Sequence, residues 1–401
     1  MLLDSIELRT KKIIPKFFFE EKSVFWIFLT VSVIIGIQRA LLGPAACNNY
    51  VIFKTSFFHL VNDQNLYRLY PDEYDDIYLY SPTFALLMAP LAYLSLWLQV
   101  ILWCCIDAIA VFAAIKLLPI DNSKKKLIMC WLIIVEYTTA LESLQAAPIV
   151  ASCMILAFVF FEKGKLSKAA FFIVLGAFIK IYAIAAVILF LMYPRKLKFV
   201  ANMFFWTIVF LLAPLLVTSF HMLLFQYHSW ANLTLSVHQG EDTGINPNIP
   251  IPLSVMGWFK TWFNFTPSVL LVQLIGTAIL CLPFIRIKCL KNINFRLLIL
   301  ASLLIWAMIF NHIAESPSYI VAVLGVAIWF VTDKKDWITY SLLVLVIVLC
   351  ILSPTNIFPE YIREHYIKPY VLKALPCILI WFLIQYKLLF NKFNISGEVQ
   401  S

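Results

Sequence analysis

The 401-residue chain is 62% hydrophobic and only 13% charged, and it carries a formal net charge of +9. Soluble domains are about 45–50% apolar and about 25% charged, so this composition excludes a soluble α/β enzyme, a disordered chain and a disulfide scaffold. The long apolar runs instead predict an all-α polytopic membrane protein. Basic residues of such proteins collect in cytoplasmic loops, so the positive charge does not indicate a nucleic-acid partner.

Clusters of Lys and Arg separate the apolar runs along the chain. If every cluster lies in the cytoplasm, successive clusters must be joined by an even number of crossings. About 12 transmembrane helices satisfy that condition. Their predicted spans are 23–43, 96–118, 127–143, 147–162, 168–179, 182–194, 199–219, 267–285, 295–311, 316–331, 338–353 and 370–388.

We expect a single transmembrane domain at 23–390 in the cell (inner or plasma) membrane, surrounded by membrane lipids. A cytoplasmic segment at 1–22 precedes it, and a cytoplasmic tail at 391–401 follows it. A large first outer loop and two others are expected at about 44–95, 220–266 and 354–369. Because the remaining polar residues fall mainly in outer loops and turns, we expect the functional site to open outward.

Two places need short helices rather than full spans. Pro82 and Pro90 interrupt the end of the first loop, so 82–94 is expected as a short helix at the outer surface. Residues 168–194 must cross twice to keep both flanking basic clusters inside, which predicts two short helices meeting at Lys180.

The first outer loop combines carboxylates with tyrosines. A sugar hydroxyl is a poor nucleophile and needs a positioned carboxylate to take its proton. Asp76, with Asp75 beside it, lies closest to the following helix and is the candidate base. Glu73 looks more like a surface residue. The alternative for this loop is an interfacial aromatic belt, to which Tyr78 and Tyr80 would belong, with solvated acids.

Two outer turns offer further polar groups. Lys180 is either a snorkelling lysine at a helix end or a cation that binds a phosphate. His312 could bind phosphate or sugar, or could simply form a hydrogen bond with Glu315. The spacing of these two residues matches no zinc signature, and no other motif requires a metal or a cofactor.

Asp107 and Glu136 lie within predicted spans, where carboxylates are costly. Neither has a Lys or Arg nearby in the sequence, which favours hydrogen-bonded structural roles. A proton-coupled transporter would nonetheless use such residues. The chain contains no Walker A, GxGxxG or GxSxG motif, so ATP-driven transport, dinucleotide chemistry and α/β-hydrolase chemistry have no support.

Several stretches together resemble glycosyltransferase family 87. NLYRLYPDEYDDIYLYSPTFALLMAPLAYLSLWLQVILW resembles that family's first outer loop and following helix. LESLQAAPIVASCMILAFVFFEKGKLSKAAFFIVLGAFIKIYAIAAVILFLMYPRK resembles its Gln-x-Asn helix start, its small-residue helix and its lysine turn. SVMGWFKTWF and FNHIAESPSYIVAVLGVAIWF are similar to later segments. The resemblance covers roughly residues 20–390.

This resemblance implies a GT-C fold with an active site on the extracytoplasmic side, a polyprenyl-phosphate sugar donor and inversion at the anomeric carbon. In the family an acid in the first outer loop acts as base, and a basic residue elsewhere holds the donor phosphate. Those roles would fall here on Asp76 and on Lys180, with His312 as a further phosphate contact.

Two positions depart from the family's pattern. The stretch Cys47-Asn48-Asn49-Tyr50 has no carboxylate where family members have their proposed catalytic Asp, so the base must lie later in the loop. Gln145-Ala146-Ala147 lacks the family's Asn, and Glu142 is a possible substitute beside it.

The sequence therefore predicts an integral membrane hexosyltransferase that transfers a sugar, for which mannose is one candidate, from a polyprenyl-phosphate donor to a lipid or glycan acceptor. The remaining candidate substrate contacts are Glu73, Tyr78, Tyr80, Glu142, Gln145, Trp230 and Glu315. One rival is a secondary transporter or flippase that uses Asp107 and Glu136. The other is a family member that binds donor without catalysis.

Overall fold

A computed structural model of the protein describes residues 20–239, 251–393 and 399–400. Almost all of the predicted cytoplasmic segment 1–22, the middle of the predicted loop 220–266 and much of the predicted tail 391–401 lie outside these residues. Within them the fold is helical. The only strand structure among the described residues is an antiparallel pairing of β1 (Lys392–Phe393) with β2 (Val399–Gln400).

Seventeen α-helices are found in the described ranges. They are α1 Glu21–Leu41, α2 Asn48–Val61, α3 Pro82–Leu87, α4 Ala89–Ala92, α5 Leu96–Leu117, α6 Ser123–Glu142, α7 Ala147–Glu162, α8 Leu166–Ile179, α9 Lys196–Leu212, α10 Phe220–Gln239, α11 Val255–Phe263, α12 Val269–Cys281, α13 Ile293–Ile309, α14 Ile320–Thr332, α15 Trp337–Leu345, α16 Glu360–Ile362 and α17 Leu375–Phe390.

Shorter helical turns extend or join these helices. The 3₁₀ segments are Pro44–Cys47, Ile181–Met192, Ala213–Leu216, Leu282–Ile285, Ile287–Lys291 and Ser316–Tyr319. The π segments are Val346–Leu352 and Arg363–Ile367. Proline begins many of these elements, because it lacks the N–H that the first helical turn leaves unpaired and its φ is already helical. Pro82 does so in α3 and Pro317 in the turn Ser316–Tyr319.

The bundle is built around closely packed helix pairs, notably α1 with α5 and α13 with α14. Helices α13 and α14 are buried along nearly their whole length, and Trp329 and Trp381 are among the largest fully buried side chains. Small residues allow this close approach. A Cβ added at Gly325 of α14 would lie 2.7 Å from the carbonyl oxygen of Ala301 in α13.

Each of the twelve predicted spans overlaps a helical segment, but bounds and lengths differ. Only three helices of the described chain are long and apolar enough to cross a membrane by length and composition: Glu21–Leu41, Leu96–Leu117 and Lys196–Leu216. Eight further apolar segments are only 10–17 residues long. The apolar helices identify a membrane protein, whereas the count of twelve crossings stays a prediction.

Two of the expected outer loops contain long helices. Within 44–95, α2 covers 14 residues, and within 220–266, α10 covers 20 residues. Gln226 explains how α10 docks, because its side chain accepts a hydrogen bond from the Leu66 N–H at 3.0 Å and donates one to the Gln64 carbonyl at 2.6 Å. These segments are too polar to stand out as spans, so the apolar pattern missed them.

The polar contacts between helices lie in two groups, one at each end of the bundle. At one end Glu21 pairs with Lys116 at 2.6 Å, and Glu162 accepts two hydrogen bonds from Arg296 at 2.7 and 2.8 Å. At the other end the first loop, the end of α6 and the turns near 180 and 315 come together. The basic segments and the candidate site therefore occupy opposite ends.

The sequence around Glu136 contains no basic residue, but the structure gives Glu136 a basic partner. Lys373, 237 residues later, donates to Glu136 Oε1 at 2.8 Å, and both side chains are buried. The sequence analysis placed Lys373 inside a span at 370–388. In the structure helix α17 begins only at Leu375, and Lys373 lies in the turn before it. Asp107 is fully buried in α5.

The packing predicts unequal effects of adding a methyl group at two glycines. Gly325→Ala forces a carbon against a backbone oxygen and should cost about 1–3 kcal/mol, as overpacking does. Gly176→Ala meets only the side-chain carbons of Ala183 and Cys153, at 3.1 and 3.2 Å, and should cost less. Thermal unfolding in detergent measures both, and an equal or reversed order of the two losses would contradict the packing described.

Candidate functional site

The amides of Asn48 and Asn49 anchor the loop that carries the candidate base. Asn48 Nδ2 donates to the Asp75 carbonyl, and the Asp75 N–H donates back to Asn48 Oδ1 at 2.9 Å. Asn49 Nδ2 donates to the Ser143 carbonyl at 2.7 Å. The start of α2 therefore binds the first loop on one side and the end of α6 on the other.

Asp76 has an unusual backbone conformation. Its φ is +105°, and such strained positions cluster at functional sites. Its Oδ1 accepts a hydrogen bond from the Ile77 N–H at 2.8 Å. Although the residue as a whole is exposed, partial burial of its carboxyl raises the pKa of Asp76, and the hydrogen bond from Ile77 opposes that rise. A raised pKa brings a carboxylate closer to the range useful for a general base.

The segment after Asp76 is fixed by hydroxyl groups. Tyr78 is fully buried and donates from its hydroxyl to the Ser81 carbonyl at 2.7 Å. Ser81 Oγ accepts from the Phe84 N–H at 3.2 Å, which caps α3, and donates to the carbonyl of Phe178 near the end of α8. Tyr80 is thereby brought next to the turn that follows α8.

Lys180 occupies that turn and lies at the centre of the site. Its Nζ donates to Gln145 Oε1 at 2.9 Å and to Ser318 Oγ at 3.4 Å, and it lies 5.8 Å from the centre of the Tyr80 ring. Gln145 Nε2 in turn donates to Glu315 Oε2 at 3.4 Å. The amide of Gln145 therefore bridges a cation and a carboxylate.

The charges of the site act on one another. Burial lowers the pKa of Lys180, and the negative charge of Glu315 opposes that shift. Burial raises the pKa of Tyr80 well above its ordinary value, and the nearby carboxylates of Glu315 and Asp76 add to the rise. Tyr80 therefore lies within electrostatic range of both acids. The structure brings Tyr80, Lys180, Gln145 and Glu315 into one cluster, and Asp76 lies within electrostatic range of Tyr80.

Three other candidate residues, Glu73, Trp230 and Glu142, have other surroundings. Glu73 pairs with His59 at 3.0 Å, and the ring of His59 stacks on Tyr70 at 4.0 Å. Trp230 of α10 borders the loop, where its Nε1 donates to the Leu79 carbonyl at 3.3 Å. Glu142 is exposed at the end of α6.

His312 shares the turn between α13 and Ser316–Tyr319 with Glu315 and is half-buried. The chain of hydrogen bonds from Ser318 through Lys180 and Gln145 to Glu315 does not include it. Sequence reasoning missed Ser318, whose only signal is its place three residues after Glu315. It also missed the anchoring role of Asn48, which appeared only as the absence of an acid.

This arrangement places a carboxylate with a raised pKa and a hydrogen-bonded ammonium at one end of a helical bundle. Such a pair can accept a proton and stabilise a negatively charged leaving group. Among the described residues no group of three His, Cys, Asp or Glu side chains is placed to hold a metal ion.

The fold and site define a membrane protein with acid and cation at one end of its bundle. The model of glycosyltransferase family 87 matches residues 78–311, more than half of the chain, and the protein belongs to this family. The resemblance predicted from the sequence is thus confirmed, and the family implies glycosyl transfer. A search of curated proteins found no match. The matched range contains Tyr80, Gln145 and Lys180, and it begins two residues after Asp76.

The anchoring of the loop predicts a local effect of Asn48→Ala. This change removes the acceptor of the Asp75 N–H and a donor to the Asp75 carbonyl, bonds of about 0.5–1.5 kcal/mol each. Hydrogen exchange of the Asp75–Ile77 amides should therefore speed up several-fold. Asn49→Ala is the matched control, since Asn49 binds Ser143 instead, and it should leave these amides unchanged. Equal exchange in both variants would contradict this role of Asn48.

Proposed function

We propose that the protein is an integral membrane glycosyltransferase that moves a sugar from a polyprenyl-phosphate donor to a lipid or glycan acceptor at the extracytoplasmic face. Mannose is the first sugar to test. The observation that carries the proposal is the cluster of Tyr80, Lys180 and Glu315, with Asp76 in electrostatic range of Tyr80, in a chain of glycosyltransferase family 87.

The proposed reaction is a single displacement. The Asp76 carboxylate takes the proton of the acceptor hydroxyl while the hydroxyl oxygen forms a bond to the anomeric carbon. The bond from that carbon to the phosphate oxygen breaks, and its electron pair leaves on the polyprenyl phosphate. Attack opposite to the leaving group inverts the anomeric centre.

Lys180 is suited to bind the leaving phosphate. Its hydrogen-bond partners among the described residues, Gln145 and Ser318, are both neutral. Within the same described residues, the amide of Gln145 lies between Lys180 and Glu315. Among the described residues, the ammonium group of Lys180 is thus held by neutral partners and forms no direct ion pair. Its charge is therefore available to bind an anion. Donors fixed before the reaction stabilise developing charge most effectively.

The loop contacts support Asp76 as a displaced base. Asn48 belongs to the stretch that resembles the part of the family's sequence with the acid, and its two side-chain hydrogen bonds among the described residues go to the backbone of Asp75. Asn48 therefore fixes the backbone of Asp75, and Asp76 is the next residue. An acid lost from the start of α2 would thus be replaced by one brought there by the loop.

We propose Tyr80 and Trp230 as the aromatic contacts of the sugar. We leave out Tyr78, because its ring is fully buried and its hydroxyl is bonded to Ser81, and Glu73, which is bonded to His59. Gln145 and Glu315 would orient Lys180. His312 is proposed as a second contact of the phosphate, and Glu142, which is exposed, as a contact of the acceptor.

We further propose twelve crossings with both termini in the cytoplasm and the polyprenyl chain lying among membrane lipids. The separation of basic segments and site to opposite ends of the bundle supports this topology. The short segments α8 and Ile181–Met192 meet at Lys180, so this residue would face the outer side.

One observation favours a transporter or flippase instead. The buried pair of Glu136 and Lys373 is the kind of paired charge that a transporter would use. A non-catalytic family member is the other alternative, since Asn48 and Asn49 replace the family's acid. Donor turnover by the purified protein in lipid nanodiscs, with a panel of labelled polyprenyl-phosphate sugars, separates the three.

In that assay Asp76→Asn should reduce transfer by about 10²–10⁴-fold, the usual contribution of a general base. Asp75→Asn is the matched comparison and should retain most of the activity. Loss in Asp75→Asn alone would move the base by one residue. Donor binding without turnover by the wild-type protein would favour the non-catalytic alternative, and neither binding nor turnover would favour the transporter.

The charge on Lys180 predicts a dependence on pH. Lysine is active only when protonated, so activity should be present below the pKa of Lys180 and fall as the pH rises through it. Because Glu315 raises this pKa, Glu315→Gln should move the alkaline limb of the pH–rate profile to lower pH. Glu73→Gln removes an acid that pairs with His59 and serves as the control. An alkaline limb that does not move in Glu315→Gln would contradict the coupling.

A further inference from the structure

A buried ion pair contacts the turn Ser316–Tyr319, which adjoins the proposed site. Glu136 of α6 is 0% exposed and Lys373, in the turn before α17, is 3% exposed. Their charged groups are 2.8 Å apart. No step of the proposed reaction uses either residue.

Lys373 also binds the turn that carries site residues. Its Nζ donates to Ser316 Oγ at 2.9 Å and to the Ser316 carbonyl at 3.2 Å, and it lies 5.3 Å from the centre of the Tyr319 ring. The Tyr319 hydroxyl donates to the carbonyl of Leu253. The ammonium group thus fixes both ends of the 3₁₀ turn Ser316–Tyr319.

Two site residues depend on the position of this turn. Glu315 directly precedes Ser316 and accepts from Gln145, and Ser318 follows it by two residues and accepts from Lys180. Ser316 is covalently joined to Glu315 and lies in the same short 3₁₀ turn as Ser318, so a shift of its backbone would be passed to both. Any movement of Ser316 would therefore displace both contacts around Lys180.

Stability alone does not explain the pair. Because burying two charges is costly, replacing a buried ion pair by apolar residues of similar volume is often neutral or stabilising. The turn before α17 is also strained, because Val371, two residues before Lys373, has φ +53°, which is a genuine outlier for a β-branched residue. Strained backbone conformations persist only where the surrounding structure enforces them, and they cluster at functional sites.

We propose that the ion pair of Glu136 and Lys373 is a positioning device that sets Glu315 and Ser318 around Lys180 through Ser316. This inference rests on the proposed function, since the geometry that it sets is that of the phosphate-binding end of the site. The two residues act through others and do not touch the substrate.

The test replaces both charges at once. The double variant Glu136→Met/Lys373→Met leaves no unpaired buried charge, so it should fold with a melting temperature close to that of the wild-type protein. The matched control is Glu162→Met/Arg296→Met, which removes the ion pair at the opposite end of the bundle. Both are compared by thermal unfolding, by kcat and KM for the labelled donor, and by hydrogen exchange over 311–319.

We expect Glu136→Met/Lys373→Met to lower kcat by about 10-fold to 10²-fold, the range that a small misplacement can cause, and to speed up exchange over 311–319. The control should change neither. Should the double variant fail to fold, Ser316→Ala removes the Oγ contact while the ion pair stays intact. Ser316→Ala should then lower kcat by a smaller factor.

Unchanged kcat and unchanged exchange in the folded variants would overturn the proposal. Equal losses of kcat in the two double variants would also overturn it, because a general loss of stability would then suffice. If the wild-type protein transfers no sugar, the proposed function fails, and faster exchange over 311–319 in the first double variant alone would still support the positioning role.

Discussion

The contact between Lys180 and Gln145 joins the separate parts of the site. Lys180 follows α8, Gln145 precedes α7, and the Gln145 amide donates to Glu315, which lies after α13. An ammonium group in a half-buried position must keep hydrogen-bond partners, because leaving a charge unsatisfied away from water is costly. The partners of Lys180 therefore bring three turns and the ring of Tyr80 close together. The basic segments lie at the other end of the bundle.

A neutral bridge has a chemical consequence that a direct ion pair would lack. Had Glu315 bonded Lys180 directly, a phosphate would have to displace it. With Gln145 between them, the carboxylate supports the charge of Lys180 from a distance while the ammonium can still turn towards an anion. Membership of family 87 indicates that the reaction is glycosyl transfer. The raised pKa of Asp76 makes this residue a candidate base for it.

The sequence could predict the helical segments but not all of their neighbours. Apolar runs located α5 and α7 to within a residue, because a helix in lipid must be apolar over most of its length. The same rule missed α2 and α10, which are too polar, and it extended the last span over Lys373. Contacts such as Glu136 with Lys373, or Lys180 with Gln145, join distant residues of the chain, and no local pattern encodes them. Asp76 and Lys180 could be predicted as candidate residues because they are charged and lie between apolar segments, whereas the role of Asn48 in holding the loop required coordinates.

The most direct test of this account is a structure of the protein with a non-cleavable polyprenyl-phosphonate sugar. The account predicts that the phosphonate contacts Lys180 and that Asp76 faces the anomeric carbon on the side away from the phosphorus. A phosphonate bound instead beside Asp107 or the pair of Glu136 and Lys373, or a sugar out of reach of Asp76, would contradict it.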